Sequence, residues 1–231
     1  MHNRWDTLTF LHWSYDPEVV QRLLPPGLRV ETYDGRAWVG LVPFFMQVRA
    51  TGTTWIPWAG KFCETNVRTY VHGPDGSTGV WFLSLEAARL TVVGFGRGGY
   101  GVPYFWARMR RERGEDASRG VEWRYTSRRR WPSPKGASSD IRVRVGDPRA
   151  TNELAEFDHW LTARFRLYGA RRSGALVTAE ADHEVWPLFR CEVLRCEQTL
   201  IEAAGLPTPI GAPIAHWSPR VTVRVARPRR L

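Results

Sequence analysis

Lysine is almost missing from this chain. It occurs only at Lys61 and Lys135, while arginine carries nearly all of the positive charge behind a formal net charge of +10. Arginine used so exclusively, in runs such as Arg110-Arg111, Arg128-Arg129-Arg130 and Arg227-Pro228-Arg229-Arg230, reads as a coding bias rather than a selected binding surface. Cysteine is scarce as well: Cys63, Cys191 and Cys196 are an odd set at no metal-ligand spacing, which excludes a disulfide framework and predicts reduced, mostly buried thiols. There is no His-x-His, His-Glu-x-x-His or Cys-x-x-Cys, so neither a metal nor another cofactor is implied. No apolar run reaches the 18 residues of a membrane span, and no charged start leads into an export segment; the expectation is a cytoplasmic protein without a membrane partner. A helix-turn-helix, RNP or zinc-finger pattern is also missing, which leaves nucleic-acid binding as the minor alternative despite the charge.

Aromatics, by contrast, are abundant. Twelve tryptophans and ten phenylalanines suit a densely packed core or a ring-lined pocket. At 231 residues the chain is expected to form one domain, 1–231.

The stretch from Phe62 to Met109 organises the rest. Along its first strand Glu64, Asn66, Arg68 and Tyr70 alternate with Thr65, Val67, Thr69 and Val71, giving a polar face in an apolar neighbourhood. His72-Gly73-Pro74-Asp75-Gly76 has the chemistry of a hairpin turn, so the strand from about Gly79 pairs antiparallel with it. Leu90 to Val93 reads as a further strand, Gly94 to Gly101 as a glycine-rich turn, and Pro103 as the start of a helix from Tyr104 to about Arg113. Gly94-x-Gly96 lacks the strand–helix–strand context and following acid of a dinucleotide fingerprint.

Elsewhere, Arg4–Trp13 alternates as a strand, with Leu8, Phe10 and His12 on one side. Asp16-Pro17 opens a helix that must stop at Pro25-Pro26-Gly27. Leu28–Thr32 and Ala37–Val48 form a hairpin about Asp34-Gly35, with a bulge or edge position at Pro43. Thr51–Gly60 is an irregular loop whose Trp55 and Trp58 are placed near a cavity mouth. Val121–Ser127 and Ile141–Val145 pair through an exposed connection, Arg128 to Ser139. Thr151 caps a helix with Leu154, Phe157, Leu161 and Phe165 inward. Ala175–Trp186 and Ala215–Val225 are strands, and Glu197–Ala204 is a short helix ended by Gly205. The class is α+β, mostly antiparallel β, with peripheral helices.

Gly96-Arg97, four intervening residues and Val102-Pro103 resemble the Gly-Arg-Glu-x-x-Gly-[Phe/Tyr]-Pro-Lys-Lys segment of acetoacetate decarboxylases, whose first lysine forms a Schiff base with the keto substrate. Here Tyr104 and Phe105 stand where the lysines would be, and Gly98 replaces the glutamate. With Phe10-Leu11-His12-Trp13, Leu23-Leu24-Pro25-Pro26-Gly27-Leu28, Ala37-Trp38-Val39-Gly40, Glu64-x-Asn66-Val67-Arg68-Thr69-Tyr70-Val71 and Ser84-Leu85-Glu86-Ala87, the chain is similar to the YqjF-like, uncharacterised bacterial branch of the acetoacetate-decarboxylase-like superfamily. The resemblance implies a cone-shaped β-barrel around a central cavity.

It also implies a small-molecule-binding protein without the Schiff-base lysine, its ligand a small carbonyl or carboxylate compound. Ligand binding falls to Arg68, Arg97, Asn66 and Tyr104, because arginine grips carboxylates and tyrosine donates to carbonyls. For proton transfer the candidates are Glu64, His12 and Tyr104; each also has a plain structural reading as an ion-paired or core residue. The alternatives are an enzyme without an imine intermediate acting on an oxo acid, and a basic nucleic-acid binder. Oligomeric state stays open.

Overall fold

The computed structural model describes residues 2–49, 60–116 and 120–231, so the Trp55 and Trp58 of the expected mouth loop lie outside the described residues. Strand β1 (His2–Tyr15) leads into helix α1 (Pro17–Gln21), whose first turn is capped by Asp16 accepting the Glu18 N–H at 2.8 Å. Two short strands, β2 (Arg29–Val30) and β3 (Thr32–Tyr33), precede the long strand β4 (Arg36–Arg49). Positive φ at Asp34 (50°) and Gly35 (71°) makes the tight turn from β3 to β4. Strands β5 (Lys61–His72) and β6 (Thr78–Ala87) form the expected hairpin.

The chain continues through α2 (Leu90–Phe95), β7 (Tyr104–Asp116), β8 (Gly120–Trp131), β9 (Ser138–Pro148), α3 (Glu156–Thr162), β10 (Arg166–Ala170) and β11 (Leu176–His183). It ends with β12 (Phe189–Gln198), α4 (Leu200–Ala203), β13 (Ile214–Val225) and β14 (Arg229–Arg230). The class is α+β with most pairs antiparallel; β6 pairs parallel with both β7 and β10.

Hydrogen bonding closes on itself twice. One circuit runs β6–β7–β8–β9–β12–β13–β1–β4–β5 and back to β6. A shorter one leaves β6 through β10 and β11 and rejoins at β13. The split is possible because β6 gives one edge to β10 at Val80 and Trp81 and then to β7 at Leu85–Ala87, while β13 divides in the same way between β12 and β11. Strands β13, β1, β4, β5 and β6 thus form a wall with a compartment on either side.

Alternation sends successive residues of that wall to opposite compartments. On the long-circuit side Leu11, Trp13, Leu41 and Val67 pack with Tyr125, Ile141 and Val143 in a filled core that α1 and α4 cover through Val20, Leu200 and Ile201. On the other side Leu8, Phe10, Val42 and Phe44 meet Trp186, Leu188 and Val223. Each fully buried side chain of this size contributes roughly 1.5–3 kcal/mol.

Several expectations are corrected. Tyr104–Arg113 is strand, not helix: with β6 on one edge and β8 on the other, Ala107 turns inward and Arg108 and Arg110 outward. The helix comes earlier, where Leu90–Val93 was expected to be strand. Pro43 does not interrupt β4; the bulge is on β1, where pairing jumps between Asp6 and Leu11 and Thr7 has φ 53°. That bulge lies opposite a proline that has no N–H to give. Thr151 opens only a short 3-10 turn, and α3 starts at Glu156 with Leu161 buried and Phe165 outside it. Arg128–Trp131 continues β8 instead of starting an exposed connection, and Arg129 is fully buried. β12 had not been expected. The three cysteines are free and half-buried. No helix among the described residues is long and apolar enough to cross a membrane.

Candidate functional site

The second compartment is not filled. A cavity of about 440 Å³ opens in it, walled by Trp5, Met46, Phe62, Phe82, Val92 and Phe95, with Glu64, Asn66, Tyr104 and the unforeseen Asn3 among its polar groups. Helix α2 and the π-helical turn Gly96–Tyr100 lie over it, and Phe95, 57% exposed while also lining the cavity, marks the mouth.

Tyr104 is placed from two sides. A Cβ at Gly96 would overlap the Tyr104 ring, so only glycine lets the turn settle on it. Arg97 Nε donates to the Tyr104 carbonyl at 2.6 Å. The Tyr104 hydroxyl then reaches across and donates to Glu64 Oε2 at 2.8 Å. Burial pushes the Glu64 carboxyl up to about 8, with Glu86 adding to the rise and the Tyr104 hydrogen bond opposing it. Burial and the Glu64 carboxyl push the Tyr104 hydroxyl well above the usual phenol range. At neutral pH this is therefore mainly an uncharged pair in which Glu64 keeps a proton of its own to donate. Asn66 Oδ1 and Asn3 Oδ1, both of residues that line the cavity, are buried without a hydrogen-bond partner among the described residues.

Arg68 and Tyr70 continue the polar face of β5 but lie beyond the cavity lining. The Tyr70 hydroxyl donates to the Leu161 carbonyl at 2.5 Å and sits 2.7 Å from His12 Nε2. A tyrosine has one proton to give, so Nε2 must carry the imidazole hydrogen and donate to Tyr70. Burial, helped by the Arg68 charge, holds His12 well below its ordinary value, so the ring is neutral. Arg68 donates to the same Leu161 carbonyl at 3.3 Å and stands over the Phe10 ring at 5.4 Å. Both side chains cross β4 at Gly40, where a Cβ would come within 2.9 Å of His12 Nε2 and 3.5 Å of Arg68 Cγ.

The structure thus brings Glu64, Asn66 and Tyr104 together, sets His12 and Arg68 in an adjoining buried layer, and leaves Arg97 exposed outside, stacked over Phe105. Lys61 and Lys135 are both exposed and neither lines the cavity. His216 is tied to Asp158 at 2.8 Å and does not line the cavity.

Sequence reasoning missed Arg129. It binds Glu86 through Nε at 2.9 Å and through a second, closer nitrogen, with its guanidinium 3.6 Å from the Phe105 ring centroid. Alternation through the Arg128-Arg129-Arg130 run is the one signal that points to it.

Comparison with solved structures gives the same fold at low identity. The enduracididine biosynthesis enzyme MppR complexed with pyruvate matches with a TM-score of 0.65 at 14% identity, covering 99% of this chain and 89% of that one. An acetoacetate-decarboxylase-like enzyme from Sphingomonas wittichii RW1 matches at 0.66 and 14%, covering 100% and 92%. The acetoacetate decarboxylase of Legionella pneumophila matches at 0.60 and 13%, covering 99% and 86%. In sequence, the uncharacterised protein YqjF of Bacillus subtilis (strain 168) is 34% identical over 225 residues, 96% of this chain and 89% of that protein. The profile of the DUF2071 family of uncharacterised conserved proteins (COG2071) matches residues 2–222, and the chain belongs to that family.

Proposed function

We propose that this protein binds a small, largely apolar carbonyl compound in the cavity under α2, with Glu64, Tyr104 and Asn66 holding its oxygen. The observation that carries the reading is the hydrogen-bonded Glu64–Tyr104 pair set in a cavity walled mostly by apolar side chains. A protonated carboxyl in apolar surroundings is a strong hydrogen-bond donor to a carbonyl oxygen. No arginine, lysine or histidine among the described residues lines the cavity, so a neutral carbonyl suits it better than a free carboxylate. A structural neighbour complexed with pyruvate and others named as acetoacetate decarboxylases make oxo compounds the first class to try. With both lysines on the surface, the reading needs no imine.

The test is a thermal-shift panel at pH 7 of methyl ketones, oxo esters and the matching oxo acids. A ligand at about 100 times its Kd adds about 2.7 kcal/mol, or roughly 5–10 °C for a chain of this size. Neutral members should shift the wild type more than the acids do, and Glu64→Gln and Tyr104→Phe should reduce the shift. An equal shift in both variants, or none in the wild type, sinks the reading.

A second reading has one observation of its own. A carboxyl held near 8 can give and take a proton around neutrality, which suits an enzyme that moves protons without a covalent intermediate. Turnover of an oxo compound that is lost in Glu64→Gln would favour it.

A further inference from the structure

The outer face of β7, β8 and β9 is charged in two different ways along its length. Towards one end it is zipped: Arg124 to Asp140 at 2.7 Å, Arg144 to Glu122 at 2.9 Å and to Glu192 at 2.6 Å, and Arg142 to Glu122. Towards the other end Arg108, Arg110, Arg128 and Arg130 are all exposed, and none is within ion-pair distance of an acidic group among the described residues. Arg108 and Arg128 even stand directly opposite each other in the ladder, where like charges repel. A fold that neutralises one end so thoroughly leaves the other unneutralised at a cost.

Exposed apolar groups adjoin these arginines. Trp131 is 50% exposed, the Arg130 guanidinium covers Trp106 at 5.5 Å, and Arg97 reaches from the π-helical turn to within 6.0 Å of the Trp131 ring. Through Arg97 the strip therefore abuts α2, which exposes Leu90 (54%) and Phe95 (57%). Basic side chains interleaved with aromatic and aliphatic ones fit a bilayer interface, where cations meet anionic headgroups and the apolar groups enter the acyl boundary. A duplex nucleic acid would satisfy the arginines but offers nothing to Leu90 or Phe95.

We propose that the Arg108–Arg110–Arg128–Arg130 strip, with Trp131 and the exposed face of α2, is a docking surface for an anionic phospholipid bilayer. Docked this way, the cavity mouth at Phe95 faces the bilayer. The docking surface stands on its own observations and does not depend on what the cavity holds.

The experiment is sedimentation of the full chain, without added ligand, with phosphatidylcholine vesicles that contain or lack phosphatidylglycerol, over a salt series. Binding should require the anionic lipid and weaken as salt rises. At about fivefold per arginine near the surface, Arg108→Gln/Arg128→Gln should lower the partition coefficient by more than tenfold while its melting temperature stays level or rises. Leu90→Ser should also weaken vesicle binding. No binding to anionic vesicles, equal binding by the arginine variant, or uptake of duplex DNA with Leu90→Ser silent would each overturn the proposal. Because no cavity ligand is used, its failure leaves the carbonyl-binding reading untouched.

Discussion

Glu64 and Glu86 sit on adjoining strands of the shared wall, each effectively shut off from solvent, yet they are kept by opposite means. Glu86 faces the filled compartment and is held by Arg129, itself 2% exposed, with Ser84 donating to its other oxygen at 3.3 Å. Burial leaves its carboxyl raised, with the Arg129 guanidinium opposing that rise, and two guanidinium nitrogens on Oε1 supply a counter-charge already in place. Glu64 faces the cavity one residue pair away, opposite Ala87, and among the described residues its side-chain hydrogen bond is to the neutral hydroxyl of Tyr104. There the carboxyl gives up its charge and keeps its proton. An ion pair with its partner already in place has nothing left to offer a ligand, whereas a protonated acid beside an apolar-walled cavity has a donor to spare; under the proposed reading that is what separates a structural carboxyl from a ligand-binding one.

The largest effect should come from breaking the paired side. Arg129→Met leaves a buried carboxylate without its cation, which costs about 3–5 kcal/mol and should lower the melting temperature by roughly 6–20 °C. Glu86→Leu with Arg129→Met should regain most of that loss, because an apolar pair of similar volume needs no counter-charge. If the double variant melts no higher than the single one, the pair is not what the site depends on.

The unpaired side answers to pH. The Glu64 carboxyl has a folded value of about 8 against 4.5 in the unfolded chain, so above 4.5 the fold holds a proton that the unfolded chain releases. Stability therefore falls as pH rises from about 4.5 to about 8 and levels off beyond, by several kcal/mol at about 1.4 kcal/mol per pKa unit. Asp140, Asp158 and Glu122 are held low and act in the acid range with opposite sign, so the useful quantity is the difference between the wild type and Glu64→Gln. Urea denaturation from pH 5 to 9 should show that difference sloping downward; a flat difference would mean that Glu64 is ionised in the fold.

The cavity side of this contrast was the more legible one in the sequence. Period-two alternation put Glu64 and Asn66 on one face of β5, and the frame from Gly96 to Pro103 singled out Tyr104, because both signals are local. Arg68 shares that face, but the cavity stops at Asn66, and no local pattern says where an interior space ends. Arg97 fitted the motif yet works from outside by holding the Tyr104 backbone. The paired side was hidden for a different reason. Arg128, Arg129 and Arg130 are chemically identical; alternation sets the middle one opposite its neighbours, and only the pairing of β8 with β7 and β9 decides which of the two faces turns inward. The same non-local pairing made strand of the segment after Pro103, which has the composition of an amphipathic helix.

The smallest effect should come from Tyr104→Phe, and it sharpens the comparison most. The change removes one hydroxyl and leaves the ring under Gly96 and the backbone bond to Arg97 in place. Below pH 6 the loss should be about 1 kcal/mol, that of a single hydrogen bond. Its second consequence is electrostatic. The Tyr104 hydrogen bond draws the Glu64 carboxyl downward, so without it that carboxyl should titrate above its present value of about 8. The falling limb of stability would then extend further towards alkaline pH than in the wild type. A limb that ends at the same pH, or earlier, would show that Tyr104 and Glu64 are not bonded in solution, and the cavity would lose the neutral donor pair that sets it apart from the filled compartment.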